Sequence, residues 1–150
     1  MHFYIVLTAF TKKMSNKLSI LFIEDDIVET MKMNRTISKL EANHNIQEAK
    51  NGEEALAILA NKDSLPDIIL LDLNMPKISG IEFLRILKTD DVLKYIPTII
   101  LTTSSNSKDV LECYKIGIAG YIIKPLKYEE YVSKLSKLLA YWSVNELIKV

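Results

Sequence analysis

Five short apolar runs alternate along the chain with five longer segments in which apolar residues recur every three or four positions. The short runs are Ser19-Ile-Leu-Phe-Ile23, Asn45-Ile-Gln-Glu-Ala49, Asp67-Ile-Ile-Leu-Leu71, Pro97-Thr-Ile-Ile-Leu-Thr102 and Gly120-Tyr-Ile-Ile123. Four unbroken apolar residues between Asp67 and Asp72 are too few for a helix of ordinary length. With Pro66 before and Pro76 after as breakers, they read as a strand buried on both faces. The run at 45–49 alternates only weakly.

The longer segments carry helical spacing. Residues 27 to about 43 present Met33, Ile37 and Leu40 on one side, and 52 to about 62 present Ala55, Leu56 and Leu59. Residues 80 to about 89 present Ile81, Leu84 and Leu87; 107 to about 116 form a shorter helix stopped by Gly117. Residues 127 to about 142 align Tyr128, Tyr131, Leu135, Leu138, Leu139 and Trp142. Strands alternating with helices imply right-handed βαβ units, hence a parallel sheet covered on both faces. Five such units predict a flavodoxin-like, doubly wound α/β fold with strand order 2-1-3-4-5 and five helices.

Composition narrows the picture. Lys plus Arg equals Asp plus Glu at 19 each, a neutral balance that argues against a nucleic-acid or membrane-surface binder. No apolar run approaches the ~20 residues of a membrane span. The single cysteine, Cys113, forms no internal disulfide, fits a reducing compartment and reads as a small buried apolar residue. The opening Met1-His-Phe-Tyr-Ile-Val-Leu-Thr-Ala-Phe10 is apolar, but Lys12 and Lys13 follow it, the reverse of a secretory signal. Residues 1–16 are therefore expected to be an extension, disordered or produced by a start upstream of Met14. One domain spans 17–142, and 143–150 form a tail or lengthen the last helix.

In a parallel sheet, the residues following each strand gather at one edge, the edge at which open α/β sheets bind ligands. Here that edge collects Glu24, Asp25 and Asp26 after the first strand, Asp72 after the third, Thr102 at the end of the fourth and Lys124 after the fifth. Asp26 followed by Glu29 also fits a helix-capping box with Asp in place of Ser or Thr. Capping accounts for Asp26 but not for Glu24 and Asp25. Clustered carboxylates raise one another's pKa and are costly without a cation; hard oxygens at this density suit Mg²⁺.

Taken in order, Ile23-Glu-Asp-Asp26, Leu71-Asp-Leu-Asn-Met-Pro76, Leu101-Thr102 and Tyr121-Ile-Ile-Lys124-Pro125 resemble the receiver domains of two-component response regulators over roughly residues 17 to 142. The resemblance implies a phosphoacceptor, Asp72. It implies Mg²⁺ held by Glu24, Asp25 and Asp72, with the backbone carbonyl of Asn74. It further implies that Thr102 and Lys124 bond the phosphoryl group, that Tyr121 turns inward on activation, and that the Lys124–Pro125 bond is cis. Glu24 stands where Asp is more usual, and Thr103 is bulkier than the small residue often found there.

The implied protein is a signalling module rather than an enzyme: cytoplasmic, phosphorylated by a sensor histidine kinase or phosphotransfer protein, and acting on a downstream target protein without an attached output domain. Leu101-Thr-Thr-Ser-Ser105 and Tyr141-Trp142 resemble the single-domain regulators that partner phytochrome-like kinases. Apolar residues beyond those the core needs, among them Tyr141, Leu147 and Ile148, predict a symmetric homodimer through the face of the fourth helix, fifth strand and fifth helix. Three other readings share the fold. An FMN binder would need a glycine- and hydroxyl-rich loop where Glu24-Asp-Asp26 stands. An aspartyl phosphohydrolase would need a second Asp where Asn74 stands, and a constitutive adaptor would not need the acceptor residues at all.

Overall fold

The structure, a computed structural model, describes residues 17–148; the expectation for 1–16 lies outside the described residues. Five strands, β1 (Ser19–Ile23), β2 (Asn45–Ala49), β3 (Ile68–Leu71), β4 (Thr98–Thr102) and β5 (Gly120–Ile123), form one sheet in the order β2-β1-β3-β4-β5. Every pairing is parallel, so each connection is a crossover. The crossovers and the chain end supply α1 (Ile27–Lys39), α2 (Gly52–Leu59), α3 (Gly80–Thr89), α4 (Ser107–Ile116) and α5 (Tyr128–Ser143). A short 3₁₀ turn, Leu93–Tyr95, precedes β4.

The period-two alternation of strand side chains divides the interior in two. Leu21, Ile23, Ile69, Leu71 and Ile100 face Ala55 and Leu59 of α2, Phe83, Leu84 and Leu87 of α3 and Cys113 of α4. Ile20, Phe22, Ile68, Leu70, Ile99 and Leu101 face Met33 and Ile37 of α1 and Tyr131, Leu135, Leu138 and Leu139 of α5. Each fully buried aliphatic or aromatic side chain contributes roughly 1.5–3 kcal/mol. Both faces of the central strands are thus anchored, and the residues just past the strand ends are held by a rigid frame.

The sequence pattern overshoots the ends of two helices. α1 stops at Lys39, where Leu40 turns extended and its N–H bonds back to Ile37, and Asn43 takes a positive φ of 52° to aim the chain into β2. α2 stops at Leu59, with Ala60 as its C-cap. Gly117 does end α4, at φ 125°, with its N–H on the Cys113 carbonyl. Asp26 caps α1 through its side chain to the N–H groups of Val28 and Glu29. The reciprocal half of a capping box is missing: the Asp26 N–H donates to Glu24 Oε1 at 3.2 Å, which frees the Glu29 side chain to point elsewhere.

At the opposite edge of the sheet, buried His44 accepts a hydrogen bond from the Leu18 N–H on Nδ1 at 2.9 Å. Burial holds its pKa below the ordinary imidazole value. An imidazole with a lowered folded pKa stabilises the fold fully above its unfolded pKa of ~6.5, and that stability is lost as pH falls toward the folded value. The buried carboxylates described below act with the opposite sign. We therefore expect the stability difference between the wild type and His44→Gln to shrink below pH ~6.5, by at most about 1.4 kcal/mol per pH unit. Urea melts of both proteins from pH 8 to 5 measure this, and a pH-independent difference would contradict it.

Candidate phosphoacceptor site

Backbone hydrogen bonds extend the sheet one residue beyond its strands and thereby set the site. The N–H of Glu24 donates to the Ala49 carbonyl at 2.9 Å, that of Asp72 to Ile23 at 3.1 Å, and that of Lys124 to Thr102 at 2.7 Å. Glu24, Asp72 and Lys124 are thus locked into the register of the ladder while their side chains converge on one edge. All three are buried, as is Thr102, whereas Asp25 is exposed at the mouth. Carboxylate oxygens of Glu24, Asp25 and Asp72 lie within 4.8 Å of one another.

Lys124 organises the electrostatics. Its Nζ donates to Glu24 Oε2 at 2.7 Å and lies 3.9 Å from Asp72 Oδ1, so in this structure its direct partner is Glu24 rather than Asp72. Burial raises the Asp72 pKa; Lys124, the Thr102 hydroxyl and the Asn74 N–H resist that rise, while Asp25 adds to it. Burial likewise pushes Glu24 up to about 7 against the pull of Lys124. Burial alone would lower the Lys124 pKa, but its bond to Glu24 and the charges of Asp72, Glu24 and Glu29 outweigh it and raise the value. One ammonium thus serves several carboxylates. The site carries surplus negative charge in a buried place, the condition under which a divalent cation with hard oxygen ligands binds well.

The other expected residues are nearby. Thr102 ends β4 with its hydroxyl toward Asp72 and accepts the Ser104 N–H at 3.4 Å. Asn74 is exposed in the loop beyond Asp72. Tyr121, half-buried on β5, packs against the core, and its hydroxyl donates to the Ser104 carbonyl at 2.9 Å, tying β5 to the loop after Thr102. The Lys124–Pro125 bond, expected to be cis, is trans. The trans form is the one X–Pro bonds intrinsically favour, by about 0.5–1 kcal/mol.

Two residues outside the expected set shape the site. Glu29, on the first turn of α1, brings Oε2 to 3.6 Å from Lys124 Nζ. The signal was present in the sequence: Glu29 precedes Met33 by four residues and so shares the buried stripe of α1. Gly80 opens α3 against the chain leaving β3, and a Cβ there would lie 2.6 Å from both the Asp72 carbonyl oxygen and Leu73 Cα.

Residues 20–136 match the family model of the response regulator receiver domain. A probable methanogenesis regulatory protein, FilR2 of Methanothrix harundinacea, is 33% identical over 127 residues, 82% of each chain. The phosphorylated cyanobacterial phytochrome response regulator RcpA superposes with a TM-score of 0.82 at 31% identity, over 89% of this chain and 99% of that one. The Mn(2+)-bound form of response regulator Rcp1 does so with a TM-score of 0.78 at 26% identity, over 88% and 99%. The family model and the sheet with its acidic edge agree, and this chain belongs to the receiver-domain family of two-component response regulators, which are signalling phosphoacceptors.

Proposed function

We propose that this protein accepts a phosphoryl group on Asp72 from a phosphohistidine of a sensor histidine kinase or phosphotransfer protein, with Mg²⁺ as cofactor, and passes the signal to a target protein by contact. The observation that carries the reading is the buried Asp72 carboxylate between an acidic pair and an ammonium 3.9 Å away. An Asp72 carboxylate oxygen attacks phosphorus in line; the P–N bond breaks, and its electron pair leaves with the imidazole. Catalysis of such a transfer is mostly positioning and electrostatics. Lys124 pairs with one phosphoryl oxygen, and the Thr102 hydroxyl donates to another. Glu24, Asp25 and Asp72, with the Asn74 carbonyl, would hold the Mg²⁺, whose charge offsets that of the phosphoryl oxygens. Thr102 moves toward the new group and Tyr121 takes up the space, altering the surface of α4, β5 and α5. A local charge change then biases an element with two arrangements.

A protein donor is supported by apolar side chains around the mouth. Ile27 and Val28 on α1 and Leu126 just before α5 are exposed, Leu126 fully. The similarity to RcpA supports a phytochrome-type kinase as the donor. A cytoplasmic location belongs to the same reading.

Acetyl phosphate with Mg²⁺ should add one phosphoryl group to the intact chain by mass spectrometry; an unchanged mass would refute the proposal. Asp25→Ala should abolish calorimetrically measured Mg²⁺ binding and leave the fold as stable or more so, since a repulsive neighbour of Asp72 is gone. Undiminished Mg²⁺ affinity in that variant would remove Asp25 from the site.

The homodimer through α4, β5 and α5 is supported by a groove of about 640 Å³ beside the edge strand β5, lined by Ile122, Ile123, Leu138, Tyr141 and Trp142 among others. Ile123 and Tyr141 are exposed, while Trp142 packs partly into the core and is better left intact. Ile123→Glu with Tyr141→Glu should therefore give a monomer that still accepts phosphate. Light scattering at high micromolar concentration decides it, and a single-chain mass for the phosphorylated wild type would end the dimer hypothesis.

A further inference from the structure

Glu29 is the carboxylate at the site with no task in the proposed phosphotransfer, and its placement is unusual. Oε1 faces Lys32 on its own helix at 3.3 Å, a pairing that an exposed helix surface would also allow. Oε2 does not face solvent: it is buried, makes no hydrogen bond, and lies 3.6 Å from the Lys124 ammonium. It does not bond back to the N-cap, because the Asp26 N–H is taken by Glu24. A buried acceptor with a loose ion-pair contact but no hydrogen bond is costly unless another arrangement of the site satisfies it.

The arrangement that would satisfy it follows from how many partners Lys124 must share. Its strong bond, at 2.7 Å, is to Glu24, and Glu24 and Asp72 are two of the three carboxylates that converge as potential cation ligands. A cation drawing on those oxygens competes directly with Lys124 for them. Glu29 is outside that trio, so its Oε2 is the neighbouring carboxylate oxygen still wholly available to the ammonium.

Resting on the phosphoacceptor reading above, we infer that Glu29 is a positioning residue. Its Oε2 takes over the Lys124 ammonium when Glu24 turns to the divalent cation, and so keeps Lys124 beside Asp72 for the incoming phosphoryl group. Without Glu29, Lys124 would be released toward solvent once the cation binds.

Two measurements test this. In the first, the Lys124 side-chain ¹⁵Nζ resonance, visible while its protons are held, is followed in the full chain without phosphate donor. With saturating Mg²⁺ the wild type keeps the resonance, whereas Glu29→Gln, an isosteric change, loses it. A resonance that survives in the variant, or that is already lost in the wild type, overturns the inference. In the second, labelling by acetyl phosphate is compared in a double-mutant cycle. Glu29→Gln slows it roughly ten- to hundredfold, as misplacement of a catalytic group does, but slows it no further in a Lys124→Ala background. An equal fold-change in both backgrounds means a merely structural role and refutes the inference. No labelling of the wild type refutes the phosphoacceptor reading itself, which the resonance measurement does not depend on.

Discussion

Asp72→Asn should yield a folded protein that takes up no phosphoryl group from acetyl phosphate with Mg²⁺. The amide keeps the shape of the side chain and the hydrogen bond from the Asp72 N–H to Ile23 that continues the ladder, so the fold has no reason to change. What disappears is the proposed nucleophile, since an amide oxygen or nitrogen does not displace the donor at phosphorus. The loss should therefore be complete rather than partial. Thermal stability should hold or rise, because burial, the largest influence on the Asp72 carboxyl, disfavours its charge. Lys124 keeps Glu24 at 2.7 Å and Glu29 at 3.6 Å, and so is not left an unpaired buried cation. Intact-mass measurement after a timed exposure reads the uptake, and a melting curve controls for folding. Labelling of the Asn variant at the wild-type rate would move the acceptor to Glu24 or Asp25.

Gly80→Ala should be the most damaging single methyl group at this edge. The added Cβ would sit 2.6 Å from the Asp72 carbonyl oxygen and 2.6 Å from Leu73 Cα, and 3.1 Å from the Leu73 carbonyl oxygen. All three are backbone atoms, so no side chain can rotate away. Relief requires either α3 to withdraw or the segment carrying Asp72 to shift. The Gly80 N–H on the Leu73 carbonyl at 3.1 Å ties those two segments together, so either movement strains that bond. Overpacking typically costs 1–3 kcal/mol, and a clash against two backbone atoms at 2.6 Å belongs at the top of that range. For a chain of this size, about 3 kcal/mol lowers the melting temperature by roughly 6–12 °C. Because the clash falls on Asp72 itself, labelling by acetyl phosphate should slow even below the melting transition. A variant that melts and labels like the wild type would show that the α3 contact is softer than its distances indicate.

What the sequence determined by itself was everything that depends on local pattern. The alternation of short apolar runs with helical spacing specifies a parallel sheet because burial is periodic: two residues per turn of pleat, 3.6 per turn of helix. In a parallel sheet all strand ends share an edge, so Glu24, Asp72, Thr102 and Lys124 could be assembled from positions up to 100 residues apart. Gly117 as a helix stop and Asp26 as a cap were legible for the same reason, since each acts on backbone within a few residues.

Tertiary structure decided what depends on distances across the fold. Periodicity assigned α1 residues beyond Lys39, but the chain must turn there to reach β2, and Asn43 takes the left-handed conformation that this turn needs. Glu29 read in the sequence as the capping partner of Asp26, and on its own helix it pairs with Lys32. The packing of α1 over the sheet gave it a further contact by bringing Oε2 to Lys124, 95 residues away in the chain, because side-chain direction at a helix end depends on what lies opposite. Gly80 looked like an ordinary helix start until β3 and α3 met closely enough to exclude a methyl group. The choice of Lys124 for Glu24 over Asp72 is likewise a matter of about an ångström among several acceptors for one ammonium. Sequence spacing names those competitors, and only the packed backbone ranks them.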